Sequence, residues 1–112
     1  LIVGARGDPE WGPVILVGFG GVQAEILQDV RLLPADLPKS AILAELDKLK
    51  SAALLHGFRG SPALDVDAVA EIVQAIGRVL IAAPGIREID LNPVVLYPAG
   101  EGAVALDALM LE

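Results

Sequence analysis

The clearest pattern in the chain is a pair of alternating runs near its end. Apolar and polar side chains take turns over residues 87–97, and the alternation resumes over 103–111 after a Pro98-Ala99-Gly100-Glu101-Gly102 break. Period-two alternation on either side of turn chemistry predicts a β-hairpin. With the turn centred on Ala99-Gly100, Asn92 falls opposite Asp107 and Asp90 opposite Leu109. Directly opposed residues of an antiparallel pair share a face, with Cβ atoms about 5 Å apart. One face then carries Glu88, Asp90, Asn92 and Asp107. The other carries Ile89, Leu91, Val95, Val104, Leu106 and Met110, and is expected to face the core. A one-residue slip of register would send Asp107 to that other side.

Upstream, residues 1–30 read as β structure. A short strand is expected at Leu1-Ile2-Val3-Gly4-Ala5, a Gly- and Pro-rich loop over 6–13, and a second strand in the apolar run between Pro13 and Gly18. A run apolar on both parities predicts a strand covered on both faces. After the tight Gly18-Phe19-Gly20-Gly21 connection a strand is expected to resume over 22–30. Residues 31–38 then read as a crossover stopped by Pro34 and Pro38.

The period next changes to that of a helix. Over 38–49, Ile42, Leu43, Leu46 and Leu49 form one stripe, Pro38 suits the first turn, and Lys48 and Lys50 complement the C-terminal end. Over 66–83, Val69, Ile72, Val73, Ile76 and Leu80 form another stripe, with Asp65 as N-cap and Pro84-Gly85 as the stop. Strands, helix, helix, strands predicts an α+β fold in which an antiparallel β-sheet carries two helices on one face.

The 112 residues suffice for one small domain with one core, and with 4% aromatic content that core must be aliphatic. The net charge is −7 and no Lys/Arg stripe is interleaved with aromatics, which argues against a nucleic-acid partner. No run approaches the roughly 20 apolar residues of a membrane span, and no secretory signal opens the chain, so no membrane partner is expected. The absence of cysteine excludes disulfide scaffolds, Cys-ligated zinc and thiol catalysis, and agrees with a cytoplasmic location. Opening in an apolar run without Met, the sequence reads as a fragment of a larger chain.

Two readings of the polar hairpin face are open by pattern alone. An acidic patch on the wet side of a sheet is usually just solvated. A carboxylate and an amide oxygen held close together also suit Mg²⁺, which takes oxygen ligands and shares them with phosphates. Gly18-Phe19-Gly20-Gly21 fails the phosphate-loop templates: Gln23 stands at the last Gly of GxGxxG, and no Gly-Lys-Ser/Thr follows. By pattern it is a turn that needs positive φ. His56 is the one histidine, with no Ser or Cys nucleophile in a recognisable setting, and it reads as a surface loop residue. No residue is assigned a catalytic role.

Asp90-Leu91-Asn92-Pro93 followed by Ala105-Leu106-Asp107-Ala108 resembles the metal-binding hairpin of ATP-grasp enzymes, particularly ADP-forming acyl-CoA synthetases and the succinyl-CoA synthetase β subunit. Arg6-Gly7-Asp8-Pro9, Trp11-Gly12-Pro13, Gly18-Phe19-Gly20-Gly21, Glu25 and Asp29 run in the order and spacing of the same subfamily. Leu55-His56-Gly57-Phe58-Arg59-Gly60 is similar to another of its patterns, in which Arg59 is expected to act as a salt-bridge partner. The resemblance implies that residues 1–112 are the C-terminal part of an ATP-grasp domain, with Asn92 and Asp107 holding the Mg²⁺ of MgATP. It implies further that Asp90 lies beside them, and that Gly20, Gly21 and Glu25 belong to the wall of the ATP/ADP cleft.

The implied parent reaction is acyl-CoA + ADP + phosphate to carboxylate + CoA + ATP, by way of a phosphohistidine on another domain. His56 has a different sequence context and does not inherit that role. The implied partners are an upstream ATP-grasp half and CoA-binding and phosphohistidine domains, of the same or a partner chain. The fragment alone is expected to be inactive, and its uncovered apolar surface to promote a homodimer. An alternative is an acyl-CoA-synthetase-like regulatory region of a protein lysine acetyltransferase, binding ligand without turnover. A third, an acidic interaction domain, requires Asn92 and Asp107 to lie far apart.

Overall fold

The computed structural model describes residues 1–19 and 29–112. In chain order their elements are β1 (Ile2–Asp8), β2 (Gly12–Gly18), β3 (Val30–Pro34), α1 (Lys39–Leu46), a 3-10 turn (Ala52–Leu55), α2 (Val66–Ala82), β4 (Glu88–Leu91), β5 (Val94–Leu96), β6 (Ala103–Ala105) and β7 (Ala108–Leu111). Five of the strands form an antiparallel sheet in the order β3-β2-β1-β4-β7, and β5 pairs with β6 apart from it. The strand expected over 22–30 falls almost wholly outside the described residues, as do Gly20, Gly21 and Glu25.

Strand parity decides which face meets the helices. Val3 and Ala5 of β1, Ile15 and Val17 of β2, Leu33 of β3 and Ile89 of β4 are all buried. They form one core with Ile42 and Leu46 of α1 and with Val69, Ala70, Val73, Ile76 and Leu80 of α2. Among the described residues both helices therefore serve one side of the sheet, as the order of elements predicts. Among the described residues no element covers the opposite parity, which corrects the expectation for β2. Val14 and Leu16 are half-buried, and the neighbouring Leu32 is 63% exposed.

The boundaries of β3 and α1 differ from the sequence reading for identifiable reasons. Residues 30–34 are a strand rather than part of a crossover, paired with β2 from Val14↔Pro34 to Gly18↔Val30. Pro34 is the last residue of β3, and pairs there because β3 is the outer strand among the described residues, where a missing N–H costs little. Helix α1 stops at Leu46, short of Leu49. The buried Asp29 carboxylate accepts hydrogen bonds from the backbone N–H of Lys50 (2.5 Å) and of Ser51 (3.0 Å), fixing the chain in the turns that follow. Lys48 does more than sit near a helix end: it pairs with Glu45 at 3.0 Å, and Arg31 reaches the same carboxylate at 2.8 Å. Those two cations, Lys48 foremost, hold the Glu45 carboxyl below the usual carboxylate range.

Helix α2 begins as expected, with Asp65 Oδ1 accepting from the Ala68 N–H at 3.1 Å. In the loop before α2, Arg59 adopts φ 54° and lays its guanidinium over the Phe58 ring at 5.1 Å. The expected salt bridge is absent among the described residues, where Arg59 makes this ring contact instead. No helix of the described residues is long and apolar enough to cross a membrane.

The terminal hairpin keeps the expected register and breaks in the middle. Asp90↔Leu109 and Val95↔Val104 are partners as the turn position requires. The Asn92–Pro93 peptide is cis. Pro93 has no N–H to give the ladder, and β4 and β7 stay in the main sheet while β5 and β6 leave it. The inside–outside phase shifts across that break. Ile89 is buried before it and Val94 after it, whereas Leu106 is 64% exposed. The expectation that Leu106 and Val104 face the core is thus corrected, while Met110 shares the face of its partner Ile89 and is exposed because β7 is the outer strand among the described residues.

Candidate functional site

The uncovered sheet face brings the proposed site residues into rows. Leu32, Leu16, Gly4, Asp90 and Leu109 are successive partners across all five strands. The Asp90 carboxylate leans over Gly4, where even an added Cβ would stand 3.7 Å from its Oδ1. At the end of the sheet, Gly18 pairs with Ile2, and the Asn92 N–H donates to the Asp107 carbonyl at 3.2 Å. The chain therefore leaves β2 through Gly18 and Phe19 at the end of the sheet that carries Asn92. Phe19 N–H donates to the Asp29 carbonyl at 3.1 Å, closing the two ends of that connection together.

Asn92 and Asp107 are both exposed, on chain segments that are directly paired. Asp107 Oδ1 accepts the Ala108 N–H at 3.0 Å, which orients the carboxylate. Among the described residues, Asp107 Oδ2 and the Asn92 side-chain amide have no protein partner. Two hard oxygens fit a cation that completes its shell from elsewhere, as Mg²⁺ does with water and phosphate. No three His, Asp or Glu side chains converge among the described residues, so an all-protein metal cage is not the geometry present. The pairing also removes the acidic-interaction reading, which needed the two residues far apart.

The sheet face that carries Asp90 is hollowed. A cavity of about 290 Å³ is lined by Ile2, Gly4, Arg6, Leu16, Leu32 and Asp90, among others. A second, of about 360 Å³, shares Arg6, Val14 and Leu32 with it and extends to Trp11, which is 79% exposed. The floor is aliphatic and the rim charged, with Arg6 directly opposite Glu88. Pockets of this size with an apolar lining and few polar groups suit small-molecule ligands. The sequence reading placed Arg6 in a loop; its even position in a continued β1 was the signal that puts it on the face of Asp90.

The β1–β2 turn is built locally. Asp8 Oδ1 accepts the N–H groups of Glu10 (2.8 Å) and Trp11 (2.9 Å), which hold its carboxyl below the ordinary range. Gly12 follows at φ 74°. His56 lies in a surface loop as expected, with Nε2 2.6 Å from Asp47 Oδ1 and both side chains more than half exposed. The feature the sequence reading missed is the second oxygen of Asp65. Its Oδ2 accepts the Gly102 N–H at 2.7 Å while Oδ1 caps α2.

The family model described as an ATP-grasp domain matches residues 1–111. A trans-feruloyl-CoA synthase from an unknown prokaryotic organism is 60% identical over 111 residues, covering 99% of this chain and 16% of that protein. The β subunit of an ADP-forming acetate–CoA ligase from Pyrococcus furiosus is 36% identical over 111 residues, covering 99% of this chain and 47% of the subunit. Among solved structures, a dinucleotide-forming acetyl-coenzyme A synthetase of Ca. Korarchaeum cryptofilum superposes with a TM-score of 0.90 at 34% identity, covering 98% of this chain and 51% of that one. That structure is a complex with coenzyme A and Mg-AMPPCP, with its phosphohistidine segment pointing towards the nucleotide-binding site. The chain thus spans between about one sixth and one half of the length of these relatives.

Proposed function

The chain belongs to the ATP-grasp domain family, and from that premise we propose that it is the C-terminal, metal- and nucleotide-binding part of an ADP-forming acyl-CoA synthetase. The observation that carries the reading is the pairing of Asn92 with Asp107 just past the end of β4, the strand whose Asp90 lines the trough on the sheet face. Asn92 and Asp107 would hold Mg²⁺, and Asp90 would face the nucleotide beside it. When bound, the metal offsets charge on the phosphoryl group in transfer. The residues of this chain bind and orient: the aliphatic floor at Leu16 and Leu32 excludes water below the ligand, and Arg6 adds positive charge to an otherwise acidic rim. Gly20, Gly21 and Glu25 belong to the proposal through the resemblance alone.

In the whole protein, an upstream ATP-grasp half would close the cleft, and CoA-binding and phosphohistidine domains would complete the reaction in the cytoplasm. The relatives named above are synthetases and ligases, none of them an acetyltransferase, so nothing favours the regulatory reading. The full-length protein, given ADP, phosphate, Mg²⁺ and an acyl-CoA, is expected to form ATP and release CoA. Feruloyl-CoA and acetyl-CoA are the thioesters to use, after those relatives. Tight binding of Mg-ADP with no ATP formed from either thioester, and no phosphate-dependent cleavage of other acyl-CoAs, would sink the synthetase reading.

The same proposal bears on the segment alone. Leu32, Leu109 and Trp11 are more than half exposed on or beside the open face, and such apolar surface promotes association. Light scattering on the 112-residue chain is expected to show dimers that form as concentration rises. A monomer up to millimolar concentration would mean that this face needs no cover.

A further inference from the structure

Asn92 and Asp107 lie where the terminal hairpin parts from the main sheet, so whatever sets the direction of β5 and β6 also sets how those two side chains meet. A two-stranded ribbon is marginal by itself and takes its orientation from what holds its ends. At the base, Val94 N–H donates to the Leu1 carbonyl at 2.6 Å and Leu106 N–H to the Pro93 carbonyl at 3.0 Å. At the tip, the segment leading into α2 is laid against the turn. Asp65 N–H donates to the Tyr97 carbonyl at 2.8 Å, and Ala99 N–H donates to the Ala63 carbonyl at 2.9 Å. Leu64 and Pro98 form a bridge between these contacts.

The side chain that joins the two is Asp65. One carboxylate oxygen caps α2 through Ala68 N–H, and the other takes the Gly102 N–H. Gly102 has φ 91°, a conformation that glycine adopts freely and that presents its N–H to the helix start. The hydrogen bonds from Gly102 first, and from Ala68 next, hold the Asp65 carboxyl below the ordinary carboxylate range. Asp65 is therefore ionised at neutral pH, and both oxygens accept. Gly102 stands five residues from Asp107, about 17 Å along an extended strand. Helix α2, packed into the core through Val69, Val73 and Leu80, is the rigid body to which the tip is fastened.

Resting on the metal and nucleotide reading above, we propose that Asp65 is a positioning residue for the cation site: by fastening the hairpin tip to α2 it sets the approach of Asn92 to Asp107. It touches neither metal nor nucleotide. Its effect is on affinity for the cation, as residues that orient ligands typically change metal affinity by about 10- to 100-fold when altered.

Asp65→Ser in the full-length protein separates the two duties. Serine is as good an N-cap as aspartate but is too short to reach Gly102. Asp65→Asn is the second variant, keeping length and cap while turning an amide donor towards the Gly102 N–H. The readouts are calorimetric titration of Mn²⁺ in the presence of a non-hydrolysable ATP analogue, and amide hydrogen exchange. In both variants, exchange is expected to quicken over 93–106 with protection across 66–82 retained. Mn²⁺ affinity is expected to fall about tenfold while metal-free analogue affinity stays within about twofold. A loosened hairpin with unchanged Mn²⁺ affinity would show that Asp65 is a structural clamp alone and overturn the proposal. Unchanged exchange over 93–106 would overturn it too, since the tip would then be held without Asp65. If the unaltered protein binds the analogue with no dependence on Mn²⁺, the metal reading itself falls, and this proposal with it.

Discussion

Asp107→Asn in the full-length protein is expected to lower Mg²⁺-dependent turnover on the order of a hundredfold, about 3 kcal/mol in the transition state. The substitution keeps the size of the side chain and can keep its hydrogen bond from the Ala108 N–H. It removes the formal negative charge that, paired with the neutral Asn92 amide, makes the site attractive to a small dication. Because Asp107 is exposed, the fold should barely register the change, by less than about 0.5 kcal/mol. Glu101→Gln is the control: an equal change of charge in the exposed turn of the same hairpin, off the proposed site. Turnover and thermal melting of both variants are to be measured side by side. Equal and small losses of turnover would make Asp107 a solvated surface acid, and the metal assignment would have to be abandoned.

How much of this was legible beforehand differs from element to element. The register of the terminal strands was, because the turn residues 98–102 fix a centre and alternation fixes the rest: Asp90 meets Leu109 and Asn92 meets Asp107. Helix α2 was, because its stripe, its cap and its Pro-Gly stop agree with one another. What was hidden depends on partners remote in sequence. Whether Leu16 and Val14 are covered is a matter of which side the helices take, and an all-apolar strand says nothing of that. Nor does alternation reveal that its phase shifts at Pro93, which leaves Leu106 outside and Val94 inside, or that Met110, on the face of Ile89, is exposed because β7 is the outer strand among the described residues. The Pro34 stop was right, since β3 ends there, but the strand before it was hidden, because proline is tolerated at edges and edge position is a property of the sheet. Within the site, residue types identified the oxygen pair, while the role of Asp65 at the tip required coordinates: one side chain serving two segments 37 residues apart has no local signature.

The same dependence on distant partners governs the second large effect, Gly77→Ala in the middle of α2. Helix propensity alone predicts a gain of about 1 kcal/mol from this change. The structure predicts a net loss of about 3 kcal/mol instead. A Cβ on Gly77 would run into the Ala35 carbonyl oxygen, with Ala35 C at 3.1 Å and Ile15 Cδ1 at 3.3 Å behind it. Ala35 has little freedom to give way: it is buried, and its N–H donates to the Pro13 carbonyl at 3.1 Å, tying it to the start of β2. The helix must then rise from the sheet and lose contact at Ile76 and Val73, both buried neighbours of that face. Gly85→Ala is the reference, at a position where an added Cβ meets nothing within 4 Å, and should stay within about 1 kcal/mol of the parent. Denaturant unfolding of the 112-residue chain with each substitution measures both. A stabilised Gly77→Ala variant would mean that α2 does not sit this close to the end of β3. The rigid body to which Asp65 fastens the hairpin would then be looser than the packing of Gly77 on Ala35 requires.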